Sequence, residues 1–193
     1  MNLDFNLTLE NSKVLLRPIT RQDFSLLKPL AADPTLWVYF TQDLSLDSDF
    51  EDWAKPALSG ERLQFTVVDK QSNKIAGSTA FGNYSARDQR IEIGWTWLGR
   101  EFQGSGINLQ MKMLMLEYAF EILGMKRVEI KTDVLNQPAR KALLKMGITE
   151  EGILRSHTLM IKGRRRDTIY YSVLEDEWGE LRKSWRLEVG GWR

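Results

Sequence analysis

The sequence predicts an α+β domain built on a central, mostly antiparallel, twisted mixed sheet of about seven strands with helices on both faces. Three observations carry that prediction. Alternating apolar residues with short links between 63 and 98 read as consecutive strands, the apolar period changes to that of a buried helix at 106, and two long strands close the chain. The resulting order is β, α, α, β, β, β, α, β, α, β, β.

Residues 13 to 19 (KVLLRPI) form the first predicted strand, and Thr20 with Asp23 three residues on opens a helix that ends before Pro34. Trp37, Tyr39 and Phe40 then cluster ahead of a second helix at 48 to 58, interrupted by Pro56 because proline lacks the N–H that a helix interior needs. Strands follow at 63 to 69 (LQFTVVD), 74 to 81 (KIAGSTAF) and 90 to 98 (RIEIGWTWL), joined by KQSNK and by a loop at GNYSARDQ. A long helix at 106 to 123 is closed by Gly124, with Gln110, Glu117 and Glu121 on one polar stripe and apolar residues over most of the remainder. A strand at 127 to 133, a helix at 138 to 146 and strands at 148 to 160 and 164 to 174, joined by a turn at 162 to 164, complete the pattern. We read 1 to 178 as a single domain and 179 to 193 as a C-terminal extension, with loose helical character from 175.

Composition removes several classes of function. There is no cysteine, so thiolate metal sites, disulfide scaffolds and cysteine nucleophiles are excluded, and His157 is the only histidine. A net charge of +1 gives no broad basic field for DNA, and there is neither a signal-like leader nor an apolar run of membrane-spanning length. The expected location is cytoplasmic, with no metal, no DNA and no membrane partner, and a homodimer is compatible with the sequence.

The most informative stretch is WLGREFQGSGINLQ, 97 to 110, where a strand passes through a glycine-containing loop into a helix N-terminus. Free backbone N–H groups and the positive end of the helix dipole converge there, which suits phosphate, although two glycines also serve a plain tight turn. The lysine of a P-loop and the three-glycine dinucleotide fingerprint are both absent. The loop QGSGIN instead resembles the phosphate loop of the GCN5-related N-acetyltransferases (GNAT), with Asn108 in place of the final small residue. From Val14 to about Trp178 the resemblance is to the RimJ/RimL-like branch acting on ribosomal-protein N-termini. It is carried by EIGW at 92 to 95, WL at 97 and 98, QGSG, YAFE at 118 to 121, RVEIKTDVLNQPAR, KMGITEEGILR and GRRRDTIYYSVLEDEW.

The resemblance implies a sheet splayed open in its middle, acetyl-CoA as donor, and a primary amine as acceptor that attacks the thioester directly in a ternary complex. It implies that the backbone of Thr96, Trp97 and Leu98 lines the pantetheine arm. Gln103, Gly104, Ser105, Gly106, Ile107, Asn108 and Leu109 then form the pyrophosphate loop, and Asn136 touches the cofactor arm, although Asn136 also suits a helix N-cap. The candidate general base is Glu92, a carboxylate between Ile91 and Ile93 where an ion pair, exposure or function must account for it. Strand alternation puts Glu92, Gly94 and Thr96 on one face unless a bulge intervenes. The glutamate and tyrosine that serve as base and acid in RimI-type relatives are replaced by Lys131 and Leu143, which leaves protonation of the departing thiolate to water.

Tyr170, Tyr171 and Ser172 are further candidates, as is His157, each with a structural alternative in strand packing. Lys162, Arg164, Arg165 and Arg166 read as a solvated hairpin turn or as contacts to RNA, an acidic substrate or cofactor phosphate; Lys112, Arg140 and Lys141 are cations that could approach the donor's phosphates. The acceptor is expected between Trp37, Tyr39, Phe40 and Trp53 on one side and 155 to 157 on the other, unless those aromatics are core. The expected acceptor is a protein or peptide N-terminal α-amine or a small amine. An aminoglycoside or polyamine acetyltransferase and a non-catalytic acyl-CoA sensor are the alternatives.

Overall fold

β1 (Leu9–Glu10), β2 (Val14–Pro18), β3 (Leu63–Asp69), β4 (Lys74–Ser85), β5 (Arg90–Leu98), β6 (Arg127–Asp133), β7 (Thr149–Leu159) and β8 (Arg165–Leu174) form one sheet. Its order in the computed structural model, which describes residues 3–188, is β1-β2-β3-β4-β5-β6-β8-β7. Eight strands replace the expected seven or so, because β1 is only two residues long, too short to show a period, and is added by pairing Leu9 with Leu16 and Glu10 with Leu15. Every neighbouring pair is antiparallel except β5 and β6, which are parallel.

That parallel pairing is short. It joins Arg90, Ile91 and Glu92 to Arg127, Val128 and Glu129 and then stops, so from Ile93 to Leu98 the β6-facing edge of β5 has no strand beside it. The sheet is splayed in its middle as the family resemblance implies.

Two apolar layers sandwich the sheet. On one face α3 (Ile107–Glu117), α4 (Gln137–Lys145) and α5 (Glu175–Glu188) close a core that contains Phe65, Phe81, Ile91, Ile93, Met111, Val128, Leu143 and Trp185. On the other, α1 (Phe24–Ala31) and α2 (Asp47–Leu58) bury Leu27, Trp37, Phe50, Trp53 and Trp97. Trp37 and Trp53 stack edge-on against Trp97 at 5.3 and 5.9 Å between ring centroids. They are core members, while Tyr39 and Phe40 are half-buried.

Asp23 explains the first helical turn: it accepts from the Thr20 backbone N–H at 2.8 Å, from Thr66 at 3.0 Å and from the Arg17 guanidinium. Pro56 does not interrupt α2, because so close to the C-terminus it forfeits a single helical hydrogen bond. Its carbonyl instead accepts the N–H groups of Glu61 (2.8 Å) and Arg62 (2.9 Å) and turns the chain into β3. The expected helix at 106 to 123 is α-helical only to Glu117 and continues as a π turn over Tyr118–Ile122, closed by Leu123 N–H to the Tyr118 carbonyl at 3.0 Å. An inserted residue of this kind leaves no mark on a period count.

The segment beyond 175 is a docked helix in its described part. Trp185 is 2% exposed and donates its indole N–H to the Met146 carbonyl at 2.7 Å; Trp178 donates to Glu121 at 3.0 Å, and Arg182 pairs with Glu117 and Glu121. α5 therefore passes through the expected boundary at 178 without a break, while 189 to 193 lie outside the described residues.

Candidate active site

β4 is longer than expected: the first four residues of the predicted loop, GNYS, belong to it, and they bring Gly82 opposite Glu92. Glu92 lies on the face opposite Ile91 and Ile93 and is 3% exposed. Its Oε2 accepts from Asn83 Nδ2 at 2.6 Å and pairs with Lys131 Nζ at 2.8 Å, whereas Oε1 accepts no hydrogen bond among the described residues. A carboxylate held by one oxygen and open at the other, at the point where β5 and β6 part, is placed to receive a proton.

Lys131, which stands where RimI-type relatives carry a base, is thus the partner of the base candidate, and Asn83 is a positioning residue that sequence reasoning missed. Asparagine in GNYS reads as loop chemistry, and only its left-handed backbone (φ 48°) within β4 turns it toward Glu92.

Beyond Glu92 the alternation is broken. The β4–β5 register shifts between Ser78 and Ala80, and Trp95 has φ 50°, which marks a bulge. Trp95 lies over Gly82, where a Cβ would sit 2.3 Å from the indole, so the ring occupies the face of Glu92. This bulge is the one the alternation allowed for, and it separates Thr96 from Glu92: Thr96 is turned toward α3, its hydroxyl 2.8 Å from that of Thr79 and accepting from Lys112 Nζ at 3.1 Å. Lys112 is 3% exposed and far from any phosphate role; burial lowers its pKa to about 7, opposed by the nearby charge of Glu92.

The bulge also sends the unpaired edge of Thr96, Trp97 and Leu98 along the opening. The Gln103 amide donates to the Leu98 carbonyl at 3.1 Å, and Ser105 donates to the Phe102 carbonyl at 2.6 Å, which folds the loop back on itself. Gly104 (φ 74°) and Gly106 (φ 88°) hold left-handed conformations, and a Cβ at either would meet nothing within 4 Å. In the first turn of α3 the Ile107 N–H donates to the Ser105 hydroxyl at 3.4 Å, while those of Asn108 and Leu109 have no preceding turn to bond. Asn108 Oδ1 is buried without a partner among the described residues. This cradle fits a diphosphate.

Asn136 serves as the N-cap of α4, accepting from Ala139 N–H at 3.2 Å and donating to Thr132 at 3.1 Å. Arg140 is engaged with the Val134 carbonyl at 3.0 Å and Tyr171 at 3.3 Å, while Lys141 is exposed.

The far wall of the opening comes from β8 and β7. Tyr170 faces the Lys131 ammonium, 5.8 Å from its ring centre, and lies 6.0 Å from the His157 ring, whose Nδ1 is 3.1 Å from the Thr168 hydroxyl. Tyr171 and Ser172 are buried, with hydroxyls on Glu150 (3.1 Å) and Glu151 (2.7 Å); Tyr171 faces the core, whereas Ser172 shares the face of Tyr170 and is held by Glu151. The solvated reading holds only for Arg165, which is exposed and bonds Ser156 at 3.2 Å; Arg164 pairs with fully buried Asp133, and buried Arg166 donates to Thr168 at 3.0 Å.

A splayed mixed sheet with a bulged central strand, an anion cradle at a helix N-terminus and a carboxylate at the split defines a class, the acyl-CoA-dependent N-acyltransferases. The model of the acetyltransferase (GNAT) domain matches residues 13–149. The chain belongs to the GNAT family, and it is an N-acetyltransferase. It is 28% identical over 145 residues to the putative ribosomal N-acetyltransferase YdaF of Bacillus subtilis, covering 74% of this chain and 78% of that one. A GCN5-related N-acetyltransferase structure from Brucella melitensis superposes with a TM-score of 0.87 at 29% identity, over 94% of this chain and 85% of that one. The spermidine N-acetyltransferase of Vibrio cholerae, solved with CoA and spermine, shares the fold with a TM-score of 0.72 at 22% identity, over 87% of this chain and 99% of that one. Among the described residues no helix is long and apolar enough to cross a membrane.

Proposed function

We propose that the enzyme transfers the acetyl group of acetyl-CoA to a primary amine by direct attack in a ternary complex, and that the amine is the N-terminal α-amine of a protein or peptide. The observation that carries this reading is Glu92, buried at the split between β5 and β6, tied through Oε2 to Asn83 and Lys131 and open at Oε1. The likeness to a putative ribosomal N-acetyltransferase supports the α-amine acceptor.

When bound, acetyl-CoA supplies an acyl carbon activated by a thiolate leaving group. The residues of the chain do the rest. Gly104 to Leu109 hold the diphosphate through backbone N–H groups and the dipole of α3. The unpaired edge from Thr96 to Leu98 lines the arm, beside Asn136 at the start of α4. Glu92 Oε1 takes one proton from the ammonium of the acceptor, the freed nitrogen lone pair forms the C–N bond as the C–S bond breaks, and the second N–H proton passes through water to the departing thiolate, leaving the amide and the free thiol. Leu143, on the buried face of α4, offers no proton of its own.

The test is release of free CoA thiol on adding short peptides to enzyme and acetyl-CoA. Turnover with a free N-terminus and none with the same peptide blocked at its N-terminus supports the reading; acetyl-CoA binding without thiol release from any amine refutes it.

A further inference from the structure

Arg62 is the one described arginine or lysine whose guanidinium or ammonium is largely buried on the acceptor face with no acidic group acting on it. The turn made by the Pro56 carbonyl delivers it to the start of β3, and its Nε donates to Gln64 at 2.8 Å while one terminal nitrogen donates to the Trp53 carbonyl. Its carbon centre lies 4.8 Å from the centre of the Trp95 ring. No carboxylate pairs with it among the described residues, and burial alone moves its pKa down to about 10. Its other terminal N–H groups have no protein partner among the described residues. A guanidinium that gives up water in this way is costly to keep unless an anion completes it.

Trp95 links that group to the site. Its ring stacks on Arg62 and covers Gly82, and Gly82 is the residue paired with Glu92. The carboxylates at the split are each already claimed by a cation: Glu92 pairs with Lys131 at 2.8 Å, Glu129 beside it on β6 pairs with Arg127 and Arg90, and Asp133 pairs with Arg164.

We propose that Arg62 is a specificity-determining residue that binds a carboxylate on the acceptor, so that the substrate is an amine carrying an acidic group and not a polycation. The indole of Trp95 separates the guanidinium from Glu92, which sets the anion several bonds from the reacting nitrogen, as the side chain of an Asp or Glu near a peptide N-terminus is. A polyamine would bring further positive charge beside a guanidinium that already lacks a counter-ion, and would find each carboxylate at the split already paired. The inference rests on the acetyl transfer to a primary amine proposed above.

The experiment measures thiol release with acetyl-CoA and peptides identical except for Asp, Asn or Lys at the second position, with spermidine alongside. Wild-type kcat/KM falls in the order Asp, Asn, Lys, with Asp over Asn by about 10- to 100-fold, the range expected of a charge-assisted hydrogen bond. Arg62→Met brings the Asp-to-Asn ratio close to one, Arg62→Lys restores part of it, and Arg62→Glu reverses the order of Asp and Lys. Thermal unfolding and acetyl-CoA affinity of each variant confirm that the fold and donor site persist, and Gln64→Met, which touches Arg62 but no acceptor, controls for loss of local packing. Equal use of the Asp and Lys peptides by the wild type, preference for spermidine, or an Asp-to-Asn ratio unchanged in Arg62→Met overturns the inference while thiol release itself upholds acetyl transfer. Absence of thiol release with every amine overturns both.

Discussion

Replacing Lys112 by Met should make the enzyme more stable near neutral pH and remove most of a pH dependence that the wild type carries. Lys112 is buried beneath the bulge of β5 with Thr96 as its hydrogen-bond partner, and burial lowers its pKa from 10.5 to about 7. The unfolded chain keeps this proton up to about pH 10.5, whereas the folded chain loses it near pH 7. Between those values the unfolded state binds more protons, so stability rises with pH; below pH 7 both states are protonated and the full penalty of burying the ammonium remains. At ~1.4 kcal/mol per pKa unit the whole window is worth ~5 kcal/mol, of which ~3 kcal/mol falls between pH 7 and 9.5. Met has similar length and no charge, and Thr79 still bonds Thr96 in its absence. Urea unfolding at pH 7 and 9.5 should show the wild type gaining ~3 kcal/mol more than Lys112→Met. Parallel pH profiles for the two proteins, or a variant less stable than wild type at pH 7, would refute the placement of a buried, titrating ammonium behind the bulge.

Glu92→Gln should lower kcat by about 10²- to 10⁴-fold while leaving acetyl-CoA affinity nearly unchanged, as stopped assays and calorimetry will read, because only the acceptor's proton is affected. Gly106→Trp should abolish measurable acetyl-CoA binding with native circular dichroism retained, since the ring fills the open space in front of α3; a folded variant that binds normally contradicts the cradle. Its melting temperature should fall as well, because φ 88° is left-handed. Trp185→Ala should cost ~3–5 kcal/mol in urea unfolding, as expected for a fully buried indole, whereas a helix merely resting on the surface would lose under ~1 kcal/mol.

Much of this molecule is legible one residue after another. The alternation in LQFTVVD and RIEIGWTWL, the change of period at Gly106 and the order of QGSG and its neighbouring motifs determine the strand and helix order, the anion loop and the family, because each depends on local periodicity or on backbone freedom at a glycine. Glu92 is legible as a candidate for the same reason: a carboxylate between two isoleucines in a strand needs an explanation that a pattern can demand but not supply.

The explanation itself is tertiary. Lys131 meets Glu92 only because β5 and β6 run parallel for three residues before they part, and Asn83 reaches it only because β4 extends into what reads as a loop. The bulge at Trp95 decides that Thr96 and Lys112 lie behind the strand while Trp95 and Arg62 lie in front, and a one-residue shift of register leaves no signature in composition or period. Likewise the arginines at 164 to 166 form a basic run in the sequence, but buried Asp133, Ser156 and Thr168 claim them one by one once β8 is laid between β6 and β7. Local spacing fixes which side chains share a face of one element; which charges then face each other depends on pairings between segments far apart in the chain, and those exist only in the folded sheet.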